Sequence, residues 1–180
     1  VRDSVSVTAL PIEAGEQRLR LEGRASLGLS HQYDHLVNVK CIPELKDISV
    51  EQGEVVIGAT ATHTEIEDNP IVREQLPVLA ELERNVANLR VRNVGTLAGN
   101  LCFAEPHADP ATLLLIHEAS VTVVSYGGTR RLAIDELQMG SYETCLESDA
   151  LLVNVRVPVL PKSMCEAYIK FGYHHRPTLG

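Results

Sequence analysis

RNVGTLAGNLCFAEPHADP, residues 92–110, is the stretch on which the prediction of the fold depends. Its first half is rich in glycine, alanine, threonine and asparagine, and the pair Asp109-Pro110 closes it. The run ATLLLIHEA that follows reads as a helix, and a proline suits the first position of one. An open backbone loop directly before a helix has two explanations: a tight structural connection, or a binding site for a phosphate-bearing ligand.

The composition predicts one compact domain or two small lobes. The chain has 180 residues, of which 44% are hydrophobic, and a formal net charge of −8. That charge argues against a general nucleic-acid-binding protein, because phosphate backbones favour clustered Lys and Arg. The sequence contains no apolar run of about 18 residues and no signal-peptide pattern, so we expect a cytoplasmic protein with no membrane span.

The spacing of cysteine and histidine predicts no metal site. Four cysteines stand far apart in the sequence, and none belongs to a C-x-x-C pair of the kind that holds zinc or an iron–sulfur cluster. Seven histidines are present without an H-E-x-x-H pattern. We therefore expect reduced and partly buried thiols.

Hydrophobic periodicity predicts a first part of short strands and helices and a second part rich in strands. Helices are predicted at 4–15, at 70–88 and from Asp109 onward, with a capping box that joins Thr64 to Glu67. We interpret the order as an α/β lobe up to residue 72 and an α+β lobe with an antiparallel sheet over 73–180. The predicted strands are 18–21, 35–40, two within 48–59 about the turn Glu51–Gly53, 120–125, 129–134, 150–157 and 165–171.

The chemistry of the 92–110 segment leaves both explanations open. Glycine lets a backbone N–H approach a ligand closely, successive N–H groups bind anions, and Thr96 and Asn100 add polar side chains. Asp109 either caps the helix that Pro110 begins or accepts hydrogen bonds from sugar hydroxyls. The segment is neither a P-loop nor a strand-borne G-x-G-x-x-G turn.

The longest match to a known pattern is VRNVGTLAGNLCFAEPHADPATLLLIHEA, residues 91–119. It resembles R-N-x-G-T-x-G-G-N…P-x-x-D-x-x-x-x-L-x-A, the pattern of the FAD-binding domain in molybdenum-hydroxylase flavoprotein subunits. These are the medium subunits of carbon monoxide dehydrogenase-like and xanthine dehydrogenase-like enzymes. The segments at 36–48, 55–72, 148–158 and 167–180 follow in the family's order.

The resemblance implies an α+β fold, the two-lobed FAD-binding fold of the vanillyl-alcohol-oxidase or p-cresol-methylhydroxylase type. FAD would lie between lobes 1–72 and 73–180, while the family's first strand and C-terminal domain have no counterpart in these residues. The loop from Thr96 to Asn100 would lie near the diphosphate, Asp109 near a sugar, Leu151 against the flavin and Lys170 near the isoalloxazine. The residues expected to bind the cofactor are Gly23, Arg24, Ala25, Ser26, Thr96, Ala98, Gly99, Asn100, Asp109, Leu151 and Lys170.

The sequence departs from the family pattern at two places. The first FAD loop, A-G-G-[TS]-[DS]-L in the family, aligns here with EGRASL at residues 22–27. Arg24 either fills the diphosphate pocket or pairs with the phosphate, whereas Glu22 places a negative charge near that anion. In the second loop Ala98 replaces a glycine, which matters where the backbone requires a positive φ.

Three functions are compatible with these residues. In the first, FAD on this chain takes electrons from [2Fe–2S] clusters on a small partner subunit, after substrate oxidation at a molybdenum cofactor on a large one, and passes them to an external acceptor. In the second, the chain is a non-catalytic interaction subunit of the same fold that has lost FAD through its altered EGRASL loop. The third is an unrelated enzyme that binds a sugar nucleotide or phosphate. No side chain of this sequence has to act as an acid or a base in the first function.

Overall fold

A five-stranded antiparallel sheet forms the centre of the fold. The computed structural model describes residues 38–161 and 163–170. The strands lie in the order β1-β2-β7-β3-β4, and every neighbouring pair is antiparallel. Their bounds are β1 Ile48–Glu51, β2 Glu54–Gly58, β3 Ser120–Ser125, β4 Gly128–Ala133 and β7 Leu151–Pro158, and β5 Gln138–Gly140 with β6 Glu143–Thr144 forms a separate hairpin.

Short helices surround the sheet. Two 3-10 helices, Val39–Cys41 and Pro43–Leu45, precede β1. Four helices between β2 and β3 begin with a side-chain cap: Thr62, Asn69, Asn88 and Thr96 accept hydrogen bonds from the first turns of α1, α2, α4 and α5. The bounds are α1 His63–Asp68, α2 Pro70–Gln75, α3 Pro77–Arg84, α4 Leu89–Arg92, α5 Leu97–Phe103, α6 Asp109–Ile116 and α7 Ile134–Leu137.

One hydrophobic core joins the sheet to the helices. It contains fully buried side chains from β2, α1, α3 and α5, among them Ile57, Ile66, Leu79 and Leu101. Helix α5 packs against β7 and α6, and α3 also contacts α6. The core therefore fixes α5 relative to α6. No helix in the described part of the chain is long and apolar enough to span a membrane.

The α+β fold with an antiparallel sheet is confirmed. The hairpin predicted within 48–59 forms with Gln52 and Gly53 at its turn, and both have a positive φ, of 51° and 83°. The strands predicted at 120–125, 129–134 and 150–157 are also found, with bounds that differ by at most one residue. The predicted elements at 4–15 and 18–21 lie outside the described residues.

Several local predictions are wrong for identifiable reasons. The helix predicted at 70–88 is two helices, because Pro77 cannot continue the hydrogen-bond ladder of α2 and instead begins α3. The capping box joins Thr62 to Glu65 rather than Thr64 to Glu67. Residues 39–41 form a 3-10 helix instead of a strand, and residues 165–170 form no strand.

The sheet contains strands from both sides of residue 72. Strands β1 and β2 precede that position, and β2 pairs with β7 through five residues, from Glu54↔Pro158 to Gly58↔Asn154. The predicted division into lobes 1–72 and 73–180 therefore does not coincide with an edge of this sheet, and it stays a prediction.

Candidate functional site

The glycine-containing segment folds as a capped helix start. Thr96 is the N-cap of α5, and its Oγ1 accepts a hydrogen bond of 3.0 Å from the Gly99 backbone N–H. Thr96 is 1% exposed, so this cap lies within the protein. The expected loop from Thr96 to Asn100 is therefore the N-cap and first turn of α5.

The starts of α1 and α5 lie side by side. Thr62 and Thr96, the two N-caps, form an isolated antiparallel β-bridge, and the His63 backbone N–H donates to the Gly95 carbonyl at 3.1 Å. A Cβ atom at Gly95 would lie 3.0 Å from the Val91 carbonyl oxygen and 3.1 Å from His63 Cδ2. A side chain at position 95 would therefore be tightly packed, and its neighbours would have to shift.

A buried polar pair that sequence reasoning missed supports this junction. His63 Nδ1 and Glu83 Oε2 are hydrogen-bonded, and the two side chains are 3% and 0% exposed. The sequence signal was an acid within an apolar helical stripe, because Glu83 follows Leu79 by four residues and precedes Val86 by three. The pair ties α1 to α3 at the point where Gly95 packs on the imidazole.

Asn100 presents an unused acceptor next to this helix start. Its side-chain Oδ1 is buried and has no hydrogen-bond partner among the described residues. Buried polar atoms in native proteins are nearly always paired with protein, water or ligand. The amide oxygen of Asn100 is therefore available to a donor from outside the described residues.

The alanine at position 98 is accommodated in the fold. Ala98 lies in the first turn of α5, is 5% exposed and belongs to the main hydrophobic core. It is absent from the described residues with a positive φ, which include Ala104 at the end of the same helix. Its methyl group therefore packs in the core. Ala98 does not have the positive φ that would make the replacement of glycine unfavourable.

Asp109 and Lys170, two predicted site residues 61 positions apart in sequence, are brought into contact. Lys170 Nζ lies 2.5 Å from Asp109 Oδ2 and 3.4 Å from the Asn85 carbonyl oxygen. The side chains of Lys170 and Asp109 are 41% and 25% exposed. Of the two roles left open for Asp109, the capping role is wrong: Ala108 is the N-cap of α6, Asp109 is its first residue, and no side chain caps this helix.

The remaining predicted site residues lie elsewhere or outside the structure. Leu151 begins β7, is 3% exposed, and packs with Val39 and Leu45 in a small cluster separate from the main core. The structure therefore brings Thr96, Ala98, Gly99 and Asn100 together on α5 and pairs Asp109 with Lys170. Gly23, Arg24, Ala25 and Ser26 lie outside the described residues.

The pKa values of two side chains near these residues are raised above their usual values. Burial raises the pKa of the Cys102 thiol to about 12, so this thiol on α5 stays protonated and unreactive. Burial and the nearby Asp109 carboxylate raise the pKa of Tyr168 to about 12. The cysteines at 41, 102, 145 and 165 are all free thiols, and the described residues contain no cluster of three or more His, Cys, Asp or Glu that could hold a metal ion.

The amino-acid sequence is similar to those of known dehydrogenase subunits. The chain is 35% identical over 139 residues to the carbon monoxide dehydrogenase medium chain of Hydrogenophaga pseudoflava, which covers 77% of this chain and 48% of that one. It is 33% identical over 143 residues to a xanthine dehydrogenase FAD-binding subunit of Escherichia coli O157:H7, covering 78% of this chain and 49% of that one.

Solved structures show the same fold. Carbon monoxide dehydrogenase from Hydrogenophaga pseudoflava that lacks the Mo-pyranopterin moiety of the molybdenum cofactor matches with a TM-score of 0.76 and 34% identity, over 80% of this chain and 50% of that one. Quinoline 2-oxidoreductase from Pseudomonas putida 86 matches with a TM-score of 0.66 and 32% identity, over 68% of this chain and 43% of that one.

The similarity covers most of this chain but only part of its relatives. The chain spans about half the length of the curated relatives it matches. The model of the FAD binding domain in molybdopterin dehydrogenase matches residues 17–160. The chain therefore belongs to the family of FAD binding domains in molybdopterin dehydrogenases.

Proposed function

We propose that this chain binds FAD as part of the medium subunit of a molybdenum hydroxylase. In that complex it carries electrons from [2Fe–2S] clusters on a small partner subunit to an external acceptor, and a large partner holds the molybdenum cofactor. The observation that carries the proposal is the unpaired polar atom in the first turn of α5, the buried Asn100 Oδ1, which lacks a partner among the described residues. The pair of Lys170 with Asp109 at the start of α6 adds a second polar feature.

The polar groups of these residues are of the chemical kinds that FAD would use. FAD has hydroxyl and amide groups that donate hydrogen bonds and a diphosphate that accepts them. Asn100 Oδ1 and Asp109 Oδ2 are acceptors, and Lys170 Nζ is a cation. The Ala98 methyl group packs in the core and so would not obstruct the ligand. The residues of α5 would hold the region near the diphosphate, and Asp109 would hold a sugar hydroxyl.

In this function, the chain's own residues would bind FAD and hold it in position. When bound, FAD supplies the redox chemistry by taking up and releasing electrons. Thr96 and Gly99 hold the first turn of α5 in place through their hydrogen bond of 3.0 Å. Lys170 balances the charge of Asp109, which otherwise opposes a nearby phosphate. Leu151 would contribute an apolar contact to the flavin, as the family resemblance implies.

Partner subunits are supported by the names of the relatives. Those proteins are chains or subunits of dehydrogenases for carbon monoxide and xanthine. The four cysteines of this chain are free and far apart in sequence, which fits the proposal that the clusters lie on another polypeptide. In a complex assembled with both partners, reduction of the clusters should be followed by bleaching of the flavin absorbance.

A matched pair of variants tests the proposed site. Asp109→Asn removes the carboxylate that faces Lys170, and Asp68→Asn removes the carboxylate of a similar surface pair, in which Arg73 Nη2 lies 2.5 Å from Asp68 Oδ1. We expect Asp109→Asn to weaken FAD binding about tenfold in a fluorescence titration, the usual effect of losing a charge-assisted hydrogen bond. Asp68→Asn should bind like the original chain. Equal affinities of the two variants would refute the role of Asp109.

The second candidate is an interaction subunit of the same fold without FAD, and the EGRASL sequence at 22–27 favours it. If Arg24 obstructs the diphosphate, Glu22→Ala combined with Arg24→Gly should tighten FAD binding several-fold. Unchanged or weaker binding would mean that Arg24 helps the ligand or does not touch it. An original chain that takes up no FAD, combined with a double variant that does, would favour this second function.

A further inference from the structure

Residues 163–170, which we call the strap, follow β7 and lie outside any helix or strand, and two of their side chains reach the ends of α6. Glu166, Tyr168 and Lys170 contact the body of the protein, while Ala167 and Ile169 between them are exposed, Ile169 to 87%. This alternation is that of an extended chain with one face against the protein. The strap has no strand partner in the described residues, so its position depends on side chains.

Two polar contacts hold the strap at opposite ends of α6. Glu166 Oε2 lies 2.7 Å from Nε2 of His117, the C-cap of α6. Lys170 Nζ lies 2.5 Å from Oδ2 of Asp109, the first residue of α6. Four extended residues cover roughly 13 Å and the eight helical steps from 109 to 117 cover roughly 12 Å, so the two contacts are in register. The strap therefore runs antiparallel to α6.

The contact at His117 is built as an anchor. His117 is 2% exposed, and its second ring nitrogen, Nδ1, faces the Pro158 carbonyl oxygen at 3.1 Å. Both ring nitrogens thus face oxygen atoms. The imidazole is held between the end of β7 and the strap, and its position is fixed by burial. The Lys170 end is more exposed, at 41% of its side chain.

We propose that His117 and Glu166 are positioning residues that hold Lys170 at Asp109. This inference rests on the difference in burial between the contact at His117 and the contact at Lys170. The buried end sets the register of the strap, and the exposed end places an ammonium group beside a carboxylate. The consequence for ligand binding rests on the proposed function: the cation at the start of α6 depends on a histidine one helix length away.

A measurement on Lys170 itself tests the anchor without FAD. Limited acetylation followed by mass spectrometry gives the reaction rate of Lys170 relative to that of Lys46. Lys46 is not part of the strap, and its Nζ lies 2.7 Å from Glu65 Oε1. We expect Glu166→Ala to raise this ratio about fivefold, as loss of one such contact would. Glu166→Gln keeps an oxygen for His117 and should restore the original ratio. Glu147→Ala, which removes a surface partner of Arg130, should leave the ratio unchanged.

FAD titration then separates this inference from the proposed function. Glu166→Ala should weaken FAD binding about five- to tenfold, and it should add no further loss in a Lys170→Ala chain. An acetylation ratio unchanged in Glu166→Ala would overturn the anchor, whatever FAD does. Additive losses in the double variant would overturn the route through Lys170. A chain that binds no FAD but shows the acetylation change would refute the proposed function and leave the anchor supported.

Discussion

The imidazole of His63 and the carboxylate of Glu83 form a hydrogen bond in the protein interior, from Nδ1 to Oε2. The bond joins the first residue of α1 to the last turn of α3. Gly95 packs on the same imidazole, and its carbonyl accepts from the His63 backbone N–H. The N-cap of α5, where the candidate site begins, therefore rests on a buried polar pair.

Removing one member of this pair should destabilise the fold strongly. Glu83→Ala leaves a buried imidazole without its partner, so we expect the free energy of unfolding to fall by about 3–5 kcal/mol in a urea titration. Glu83→Gln keeps an acceptor for the ring and should cost less. Glu81→Ala, in the same helix but exposed, serves as the control and should stay within about 0.5 kcal/mol of the original chain. Equal stabilities of Glu83→Ala and Glu81→Ala would contradict this account.

A side chain at position 58 should destabilise the fold. A Cβ atom there would lie 2.3 Å from the Leu45 carbonyl oxygen and 2.9 Å from the Lys46 nitrogen, both of them backbone atoms. We expect Gly58→Ala to lower the free energy of unfolding by about 1–3 kcal/mol, because the backbone must move. Gly127→Ala is the matched control, since its nearest neighbour would be Ser125 Oγ at 3.6 Å, an ordinary contact. Both variants are compared by urea denaturation, and a Gly58→Ala chain as stable as Gly127→Ala would be the opposing result.

Ala98→Gly restores the residue that the family pattern has at this position. Because the Ala98 methyl group lies in the core, we expect the change to leave FAD affinity within about twofold while stability falls by about 1 kcal/mol. Affinity is read by flavin fluorescence and stability by urea denaturation. A marked gain in affinity would mean that the methyl group obstructs the ligand.

Stability should depend on pH through Glu54. A hydrogen bond from Arg131, assisted by Arg156 at 3.4 Å, holds the pKa of the Glu54 carboxyl below its usual value. The folded pKa is therefore lower than the unfolded pKa, so the carboxylate stabilises the fold above pH about 4.3 and loses this effect as the pH falls through the folded value.

The matching variant is Glu54→Gln. At pH 7 it should be less stable than the original chain by about 0.5–1 kcal/mol, a modest value because Arg131 is half exposed. The difference should shrink below pH about 4 in thermal or urea unfolding. A gap that stays constant from pH 7 to pH 3 would exclude this linkage.

Local patterns predicted most of the described sheet. The turn at Gln52–Gly53 and the alternating runs at 120–125 and 150–157 carry their own signals of strand and turn. The helical periodicity of 70–88 continues across Pro77, but the proline ring prevents one continuous helix, and α3 begins at this residue instead. Residues 165–170 look like a strand because Tyr168 and its neighbours alternate, although they lie along α6 without a strand partner.

The candidate site could be predicted only in part. The Thr96–Asn100 segment and Asp109 were found because a long gapless match covers both. The pairing of Lys170 with Asp109 joins residues 61 positions apart, and the anchor at His117 depends on how α6 meets residues beyond β7. Such contacts arise from tertiary packing and leave no spacing signal. Glu83 is the exception, because a carboxylate within an apolar helical stripe needs a buried partner.

The most direct test of the central claim is the amount of flavin bound by the purified 180-residue chain. The chain is incubated with excess FAD and freed of unbound ligand. Its visible absorption is then recorded, and flavin released by heat is identified by chromatography. The account predicts flavin absorption bands and about one FAD per chain, the stoichiometry of a single cofactor-binding domain. A chain that stays colourless after this treatment would contradict it.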